Sequence, residues 1–135
     1  MLIDAGNSNN ASDIIGLIEN KGYSTLNYVV ATHPHADHIG GMATVLAAFD
    51  VGKMYMPKKE HTSKTFENLL DTIEKNNIEL HTAKACVSVL DTTDLKIDVL
   101  APINSSYSNL NDYSAVIKIT YKDNSFLFMG DAENI

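Results

Sequence analysis

The sequence predicts a mixed α/β (α+β) fold in which helices cover the faces of β-sheets. Segments with helical apolar spacing alternate with short β-rich segments in the first half of the chain. From Ile78 onward, strand-like segments follow one another. The 135 residues are enough for one hydrophobic core, and no linker, repeat or low-complexity tract divides them. We therefore expect a single domain over residues 1–135.

Three helices are predicted before Ile78. The first is capped at Ser12-Asp13, because these side chains accept hydrogen bonds from free backbone N–H groups, and it ends at Gly22. The second covers residues 40–49. The third covers residues 63–76, with its first residue, a serine, as N-cap and its apolar residues at helical spacing.

Short runs of β-branched and aromatic residues predict the strands. Residues 27–32 form an apolar run that is too short for a helix and is typical of a buried strand. Residues 113–121 alternate between apolar and polar, and residues 125–129 return as the second arm of a hairpin. The other strands are predicted at residues 2–3, 53–56, 78–82, 87–90 and 95–100.

The composition is that of an ordinary globular protein, with 44% apolar and 20% charged residues. No apolar run approaches the roughly 18–20 residues of a membrane span, and no signal peptide is recognisable. Cys86 is the only cysteine, so an internal disulfide is impossible, and we expect a small buried residue rather than a nucleophile. A cytoplasmic and an extracellular location both stay open.

The formal net charge of −7 argues against a broad basic surface for nucleic-acid backbone. It does not exclude a nucleic-acid substrate, because bound divalent ions would be the largest local charges in a site and would reverse its sign. The net charge therefore disfavours binding of nucleic acid over a broad basic surface, but leaves open binding at a site that contains metal ions.

Three of the five histidines and an aspartate lie within the stretch HPHADH. Pro34 prevents a continuous helix and favours extended backbone before it, so His33 and His35 project to the same side and can reach one metal. Asp37 and His38 follow where two glycines force a bend, and can turn to a second metal. Imidazole and carboxylate suit Zn²⁺, Mn²⁺ or Fe²⁺. A mixed N/O set without thiolate indicates a catalytic site rather than a structural one.

HPHADH resembles the H-x-H-x-D-H signature of the metallo-β-lactamase superfamily. LIDAG at residues 2–6 resembles the first motif of that superfamily. GDA at residues 130–132 resembles the fourth motif, whose aspartate bridges two metals. NDYSAV at residues 111–116, with FLFMGDAE after it, resembles the ComEC branch, which comprises DNA-uptake competence proteins and their free-standing relatives.

This resemblance implies a metallo-β-lactamase-type αββα sandwich with two divalent metal ions, Zn²⁺ or Mn²⁺ or else Fe²⁺. His33 and His35 would bind the first metal. Asp37 and His38 would bind the second and act as catalytic residues. Asp131 would bridge the two ions, which together activate a water molecule and polarise the bond under attack.

The chain departs from the superfamily pattern at the remaining ligand of the first metal. The superfamily supplies a further histidine, but His61 and His81 are isolated and neither directly precedes a late strand. The ComEC-like branch uses its N-D-x-S segment instead, so we expect Asp112 to bind the first metal, supported by Asn111 or Ser114. The alternative is that Asn111-Asp112 only forms a turn.

A second departure concerns the extent of the fold. No histidine follows His81, and the chain stops at Ile135, whereas the superfamily completes its second metal centre with a later histidine. We therefore expect a partial sandwich with the second half largely missing, as a truncated form, a cleaved fragment or a natural short form. An apolar sheet face would then be exposed or covered by self-association.

Five other residues have both a functional and a structural interpretation. By the resemblance Asp4 orients a ligand histidine, and otherwise it forms a turn before glycine. Lys58 and Lys59 are expected to be a solvated surface pair, with phosphate contact as the alternative. Tyr107 and Tyr113 are expected to pack on the sheet, with stacking on a nucleobase as the alternative.

The leading functional hypothesis is a metal-dependent hydrolase that uses a metal-activated water. The branch resemblance favours a phosphodiester substrate, either a small molecule or a nucleic acid. The alternative is a non-catalytic fragment or a metal-binding interaction module. The sequence names neither the metal nor the substrate.

Overall fold

A computed structural model describes residues 1–133, so the last two residues of the predicted domain lie outside the described residues. Two four-stranded sheets form the fold. The first is parallel with the order β1-β2-β3-β4, and the second is antiparallel with the order β5-β6-β7-β8. The strands are β1 (Leu2–Ile3), β2 (Thr25–Val30), β3 (Asp50–Met56), β4 (Glu79–Thr82), β5 (Val87–Asp91), β6 (Leu95–Ala101), β7 (Val116–Tyr121) and β8 (Asn124–Phe128).

Four α-helices connect the strands of the parallel sheet. They are accompanied by two short 3-10 helices, Ser8–Asn10 and Asn111–Tyr113. Parallel neighbours need crossover connections, and the helices supply them. The α-helices are α1 (Ala11–Asn20), α2 (Ala36–Ile39), α3 (Met42–Ala48) and α4 (Lys64–Lys75).

Two apolar cores hold these layers together. Val29 and Met54 face the helices and are fully buried among their side chains. The next residues along the same strands, Val30 and Tyr55, belong to a second core with Val99 and other residues of the antiparallel sheet. Because successive strand residues point to opposite faces, the parallel sheet lies between the helices and the antiparallel sheet. The described layers are therefore helices, parallel sheet and antiparallel sheet.

The predicted helix over residues 63–76 is confirmed, and Ser63 Oγ accepts a hydrogen bond from the Phe66 N–H at 3.2 Å. The predicted cap of the first helix is wrong. The helix begins at Ala11, because the 3-10 helix before it leads directly into it. The predicted helix over residues 40–49 is also wrong at its start, since the chain forms two short helices separated by Gly40 and Gly41.

The strands predicted from residue 87 onward form the antiparallel sheet, whereas β4, the first of the predicted late strands, pairs with β3 in the parallel sheet. Two further differences concern β7 and Cys86. β7 begins at Val116 rather than three residues earlier, because Asn111–Tyr113 is a 3-10 helix. Cys86 is exposed rather than buried. It lies in the turn before β5 with a φ of 68°, a left-handed backbone conformation that directs this residue away from both cores.

Candidate metal centre

The histidine cluster lies at the edge of the parallel sheet where the strands end. β2 ends at Val30, and the chain then bends at His33 and Pro34 before His35, which has extended backbone with φ −75° and ψ 146° and precedes α2. β1 ends beside it, so that Asp4 is placed next to the cluster. Ligands of open α/β sheets bind at this carboxyl end. The prediction of extended backbone at His33 is wrong, since the chain bends at His33 and Pro34. The predicted bend at Asp37 and His38 is wrong as well, because these residues lie in a one-turn helix.

His33, His35 and Asp131 form a group that could hold a metal ion. One ligand atom from each lies within 4.8 Å of the others. His33 Nε2 is 3.0 Å from His35 Nδ1 and 3.7 Å from Asp131 Oδ2. Residues more than 90 positions apart thus converge, and His33 itself is 1% exposed. The structure thus brings together His33 and His35, predicted for the first metal, and Asp131, predicted to bridge, while their roles as ligands stay predictions.

The second carboxylate oxygen of Asp131 faces a different imidazole. Asp131 Oδ1 lies 3.1 Å from His38 Nε2. Asp37 Oδ2 lies 4.0 Å from the same nitrogen, and the Asp37 side chain is 64% exposed. Asp131 therefore stands between two sets of side chains, with His33 and His35 at one oxygen and Asp37 and His38 near the other.

Asp4 and Thr32 fix the ring orientation of two histidines. Asp4 accepts hydrogen bonds from the Thr32 N–H and the Thr32 hydroxyl, both at 2.7 Å, and from His38 Nδ1 at 2.7 Å. Since the Thr32 hydroxyl donates to Asp4, its oxygen accepts from His33 Nδ1 at 3.1 Å. Both rings then carry hydrogen on Nδ1, and in the neutral form of each ring Nε2 faces the centre without a proton. A ligand histidine held in this way is typical of metal sites.

The two fixed histidines differ in pKa. Burial lowers the pKa of His33 below its usual 6.5, and the neighbouring His38 lowers it further, against the opposing charge of Asp131. Burial alone would also lower the pKa of His38. The hydrogen bond and charge of Asp4, together with Asp131 and Asp37, outweigh burial and raise the pKa of His38 above 6.5.

The turn after β8 places Asp131 at this edge. Gly130 has a φ of 55°, and a Cβ there would lie 2.9 Å from Thr32 Cβ and 3.1 Å from Ser114 Oγ. Only glycine fits both the left-handed conformation and this close approach. The Asp131 N–H donates to Ser114 Oγ at 3.2 Å, and Ser114 is fully buried.

The N-D-x-S segment contacts the end of the described chain. Asp112 is 7% exposed, and its Oδ1 accepts a hydrogen bond from the Glu133 N–H at 3.3 Å. Asn111 Nδ2 donates to Glu133 Oε1 at 3.2 Å. Together with Ser114, these residues hold the segment that carries Asp131. Asp112 lies outside the group of His33, His35 and Asp131 in the described residues, so its role as a metal ligand stays a prediction.

The other two histidines have different surroundings. His61 is near the centre, with its ring centroid 6.4 Å from that of His35, and its Nδ1 accepts the Ser63 N–H at 3.3 Å. His81 stacks on Tyr55 at 5.0 Å between ring centroids and pairs with a neighbouring glutamate. Thr32 is the positioning residue that the sequence did not reveal, because nothing local distinguishes it from an ordinary strand threonine.

The side chains fit a divalent metal by their chemistry and spacing. Ligand atoms around a tetrahedral ion with bonds of about 2.0–2.1 Å lie roughly 3.3 Å apart. The separations of 3.0 Å and 3.7 Å from His33 Nε2 bracket that value. With two imidazoles and a carboxylate, the donor set suits zinc, manganese or iron.

A family model identifies the superfamily of the chain. The model of the metallo-beta-lactamase superfamily matches residues 1–135. The chain belongs to this superfamily. The resemblance that HPHADH predicted is therefore confirmed, and so is a partial metallo-β-lactamase-type fold with two sheets.

Individual relatives agree with this placement in the superfamily. Among curated proteins, ComE operon protein 3 of Bacillus subtilis (strain 168) is 26% identical over 120 residues, which are 89% of this chain and 15% of that protein. This chain thus spans 15% of the length of its curated relative. The match agrees with the predicted likeness to the ComEC branch.

A solved structure of low sequence identity shares the fold. CmlA, a diiron beta-hydroxylase from Streptomyces venezuelae, superposes with a TM-score of 0.56 at 16% identity, over 84% of this chain and 22% of that one. A metallo beta lactamase from Hirschia baltica gives a TM-score of 0.48 at 15% identity, over 95% of this chain and 52% of that one. Within residues 1–133, no helix has the length and apolar character needed to cross a bilayer.

Proposed function

We propose that this chain is a metal-dependent hydrolase that binds two divalent ions, zinc or manganese or else iron, on either side of Asp131. The observation that carries the proposal is the position of its two oxygens, Oδ2 at 3.7 Å from His33 Nε2 and Oδ1 at 3.1 Å from His38 Nε2. A carboxylate shared in this way suits a two-metal site, in which ions lie about 3.5–4 Å apart.

Each side chain has a distinct part in this proposal. His33 and His35 hold one ion, and Asp37 and His38 hold the other. Asp112 is a further ligand that we propose for the first ion. Bound divalent ions would lower the pKa of a water molecule and polarise the bond to be hydrolysed.

Asp4 and Thr32 are positioning residues in this proposal. They keep Nδ1 of His38 and His33 protonated, so that each Nε2 is free to bind an ion. The depressed pKa of His33 keeps that ring neutral at physiological pH. The hydrogen bond from the Asp131 N–H to Ser114 holds the shared carboxylate in place.

We further propose a phosphodiester substrate, within a small molecule or a nucleic acid. The resemblance of NDYSAV to the ComEC branch of DNA-uptake proteins supports this class, and the match to ComE operon protein 3 agrees with that branch. The negative charge of the chain is compatible with such a substrate, because bound ions would neutralise the acidic centre.

The test is hydrolysis of bis-p-nitrophenyl phosphate by purified protein reconstituted with Zn²⁺ or Mn²⁺. We expect metal-dependent hydrolysis in the wild type and at least a roughly hundredfold loss in His35→Ala, which removes a ligand. His35 is only partly buried, so the variant should stay folded, and circular dichroism checks this. His81→Gln is the matched control, because His81 stacks on Tyr55 away from the centre.

Equal rates in wild type and His35→Ala would contradict the hydrolase proposal. Metal binding without any hydrolysis would also contradict it, and would favour the alternative of a non-catalytic metal-binding module. Elemental analysis of the same samples separates these two results, since it reports the bound metal independently of turnover.

A further inference from the structure

The edge of the parallel sheet that carries the histidines also carries lysines. β3 ends at Met56 and is followed by Lys58 and Lys59, and β4 ends at Thr82 and is followed by Lys84. All ten cationic side chains of this acidic chain are lysines. Three of them thus lie where the strands of the parallel sheet end, at the same edge as the candidate metal centre.

Two of these lysines line one cavity. Lys58 and Lys84 flank a cavity of about 410 Å³, whose wall also includes Asn104, Ser105 and Tyr113. Ligand sites in proteins begin at about 300 Å³, so this space admits a phosphate group with its sugar. No aspartate or glutamate of the described chain lines it. Neither lysine forms an ion pair with a carboxylate within residues 1–133, whereas Lys53, Lys64 and Lys96 do.

Lys59 connects this cavity to the metal centre. Its Nζ lies 4.7 Å from the centroid of the Tyr113 ring, which forms part of the cavity wall. The same lysine lines a small crevice together with His33 and Pro34. Tyr113 in turn directly follows Asp112 and is held by hydrogen bonding between its hydroxyl and the Tyr107 backbone. An elongated ligand that extends from the metal centre past Lys59 would therefore reach the cavity.

We propose that the cavity between Lys58 and Lys84 binds a backbone phosphate of a nucleic-acid strand, next to the phosphate at the metal centre. This inference rests on the proposed function and specifies its substrate as a strand rather than a mononucleotide. Lysine supplies compact positive charge to a phosphate, and the hydroxyl and amide of Ser105 and Asn104 supply neutral donors. Lys58 is exposed, and the proposal adopts the alternative that the sequence left open for it, contact with a phosphate.

The experiment measures binding without turnover. Fluorescence anisotropy follows a fluorescein-labelled dT12 with the intact chain in EDTA, between 25 and 150 mM NaCl. The Lys58→Gln/Lys84→Gln variant is expected to bind about tenfold more weakly than wild type at low salt. Its slope of log K against log salt should be smaller by about 1.4, since each phosphate contact to a single strand contributes roughly 0.7.

The matched control removes the same charge at the opposite edge of the sheet. Lys21 follows α1 and precedes β2, and Lys75 ends α4 and precedes β4. Both are exposed and lie near the amino ends of these strands. Lys21→Gln/Lys75→Gln should bind dT12 as wild type does. Equal weakening in both double variants would overturn the proposal, because net charge alone would then explain it. An unchanged affinity in Lys58→Gln/Lys84→Gln would overturn it as well.

Two further measurements distinguish a strand-binding site from a free-phosphate site, and distinguish failure of this inference from failure of the proposed function. Inorganic phosphate at 10 mM should displace less than half of the dT12, and full displacement would identify a free-phosphate site and overturn the strand proposal. Hydrolysis of bis-p-nitrophenyl phosphate, which is too small to reach both sites, should be unchanged in Lys58→Gln/Lys84→Gln. Loss of hydrolysis only in His35→Ala, with dT12 affinity insensitive to both lysines, refutes this inference and leaves the proposed function standing.

Discussion

Asp4 Oδ2 and His38 Nδ1 lie 2.7 Å apart, although 34 residues separate them in the sequence. Asp4 has a φ of 57°, which is uncommon for a residue other than glycine. The structure around it fixes this conformation, since Asp4 N–H donates to Val30 and its carboxylate accepts from Thr32. The first strand of the fold is thereby tied to the histidine cluster.

Replacing Asp4 by asparagine should weaken metal binding about 10- to 100-fold, the usual cost of losing a residue that orients a ligand histidine. An amide in this position can present N–H towards His38 Nδ1, which turns an attraction into a conflict between two donors. Competition with a metal indicator measures the affinity. Asp13→Asn is the control, because Asp13 is exposed in the first turn of α1. Identical affinities in Asp4→Asn and wild type would show that Asp4 has no orienting role.

His33 and His38, which are held by Thr32 and Asp4, should titrate on opposite sides of pH 6.5 in the metal-free chain. The raised pKa of His38 means that its protonated form stabilises the fold; this contribution is complete below pH 6.5 and is lost as the pH rises through the raised value. The lowered pKa of His33 has the opposite effect, because its contribution is present above pH 6.5 and is lost as the pH falls through the lowered value.

NMR titration of the imidazole signals measures both values directly. Asp4→Asn should lower the pKa of His38, because it removes the charge that opposes the effect of burial. It should change the pKa of His33 less, since Asp4 is the smallest of the named contributions there. A His38 that titrates below pH 6.5 in the wild type would contradict this account.

Removing ligands one at a time should remove the metals selectively. His35→Ala should lose the ion held with His33, Asp37→Ala should lose the ion held with His38, and Asp131→Ala should weaken both. The reason is that Asp131 presents one oxygen to each side, at 3.7 Å from His33 and 3.1 Å from His38. Elemental analysis after dialysis gives the metal content per chain. A wild type that binds a single ion, or an Asp131→Ala variant that retains two, would contradict the two-metal arrangement.

The sequence predicted the part of the centre that is local in the chain. His33 and His35 are two residues apart and were expected to meet through extended backbone. Their rings do meet, although the chain bends at His33 and Pro34. Asp131 was reached only through the resemblance of GDA to a known motif, because no local pattern says that it meets His33. The individual helices and strands followed from apolar periodicity, which depends on neighbours along the chain. The parallel pairing of the first four strands was not predicted.

What the sequence did not predict depends on contacts between distant segments. Thr32 has its role only because Asp4 lies beside it, 28 residues earlier. The one-turn helix at Asp37 and His38 forms because close packing follows at Gly40. The cavity between Lys58 and Lys84 arises from two loops that meet only when β3 and β4 pair.

The close packing around Gly40 and the open space around Gly16 predict opposite effects of alanine substitution on stability. A Cβ on Gly40 would lie 2.7 Å from Ser8 N and 2.9 Å from Asn7 C, so Gly40→Ala must displace backbone next to α2. We expect a loss of about 1–3 kcal/mol in the free energy of unfolding and weaker metal binding. Gly16 lies in α1 with nothing within 4 Å of such a Cβ, so Gly16→Ala should gain up to about 1 kcal/mol from helix propensity. Urea unfolding measures both changes, and a Gly40→Ala protein as stable as wild type would contradict the packing.

The free edge of the antiparallel sheet predicts self-association. β8 is the last strand of that sheet, and Phe126 and Phe128 on it are 55% and 42% exposed. Phe126 lies opposite Ile119 on β7, and Phe128 lies opposite Ile117, which is buried between the two sheets. Both phenylalanines therefore point to the side of the antiparallel sheet that packs on the parallel sheet, but they remain exposed. Burial of such aromatic side chains is strongly favourable.

We expect this face to pair with a second copy of the chain, and sedimentation velocity across roughly 5–200 µM protein should show reversible association. Phe126→Ser/Phe128→Ser should sediment as a monomer at every concentration, because the apolar face is then lost. Leu127 is equally exposed but points to the other side of β8, so Leu127→Ser should associate as wild type does. A monomeric Leu127→Ser protein would assign the contact to the opposite face, and a monomeric wild type would refute the association.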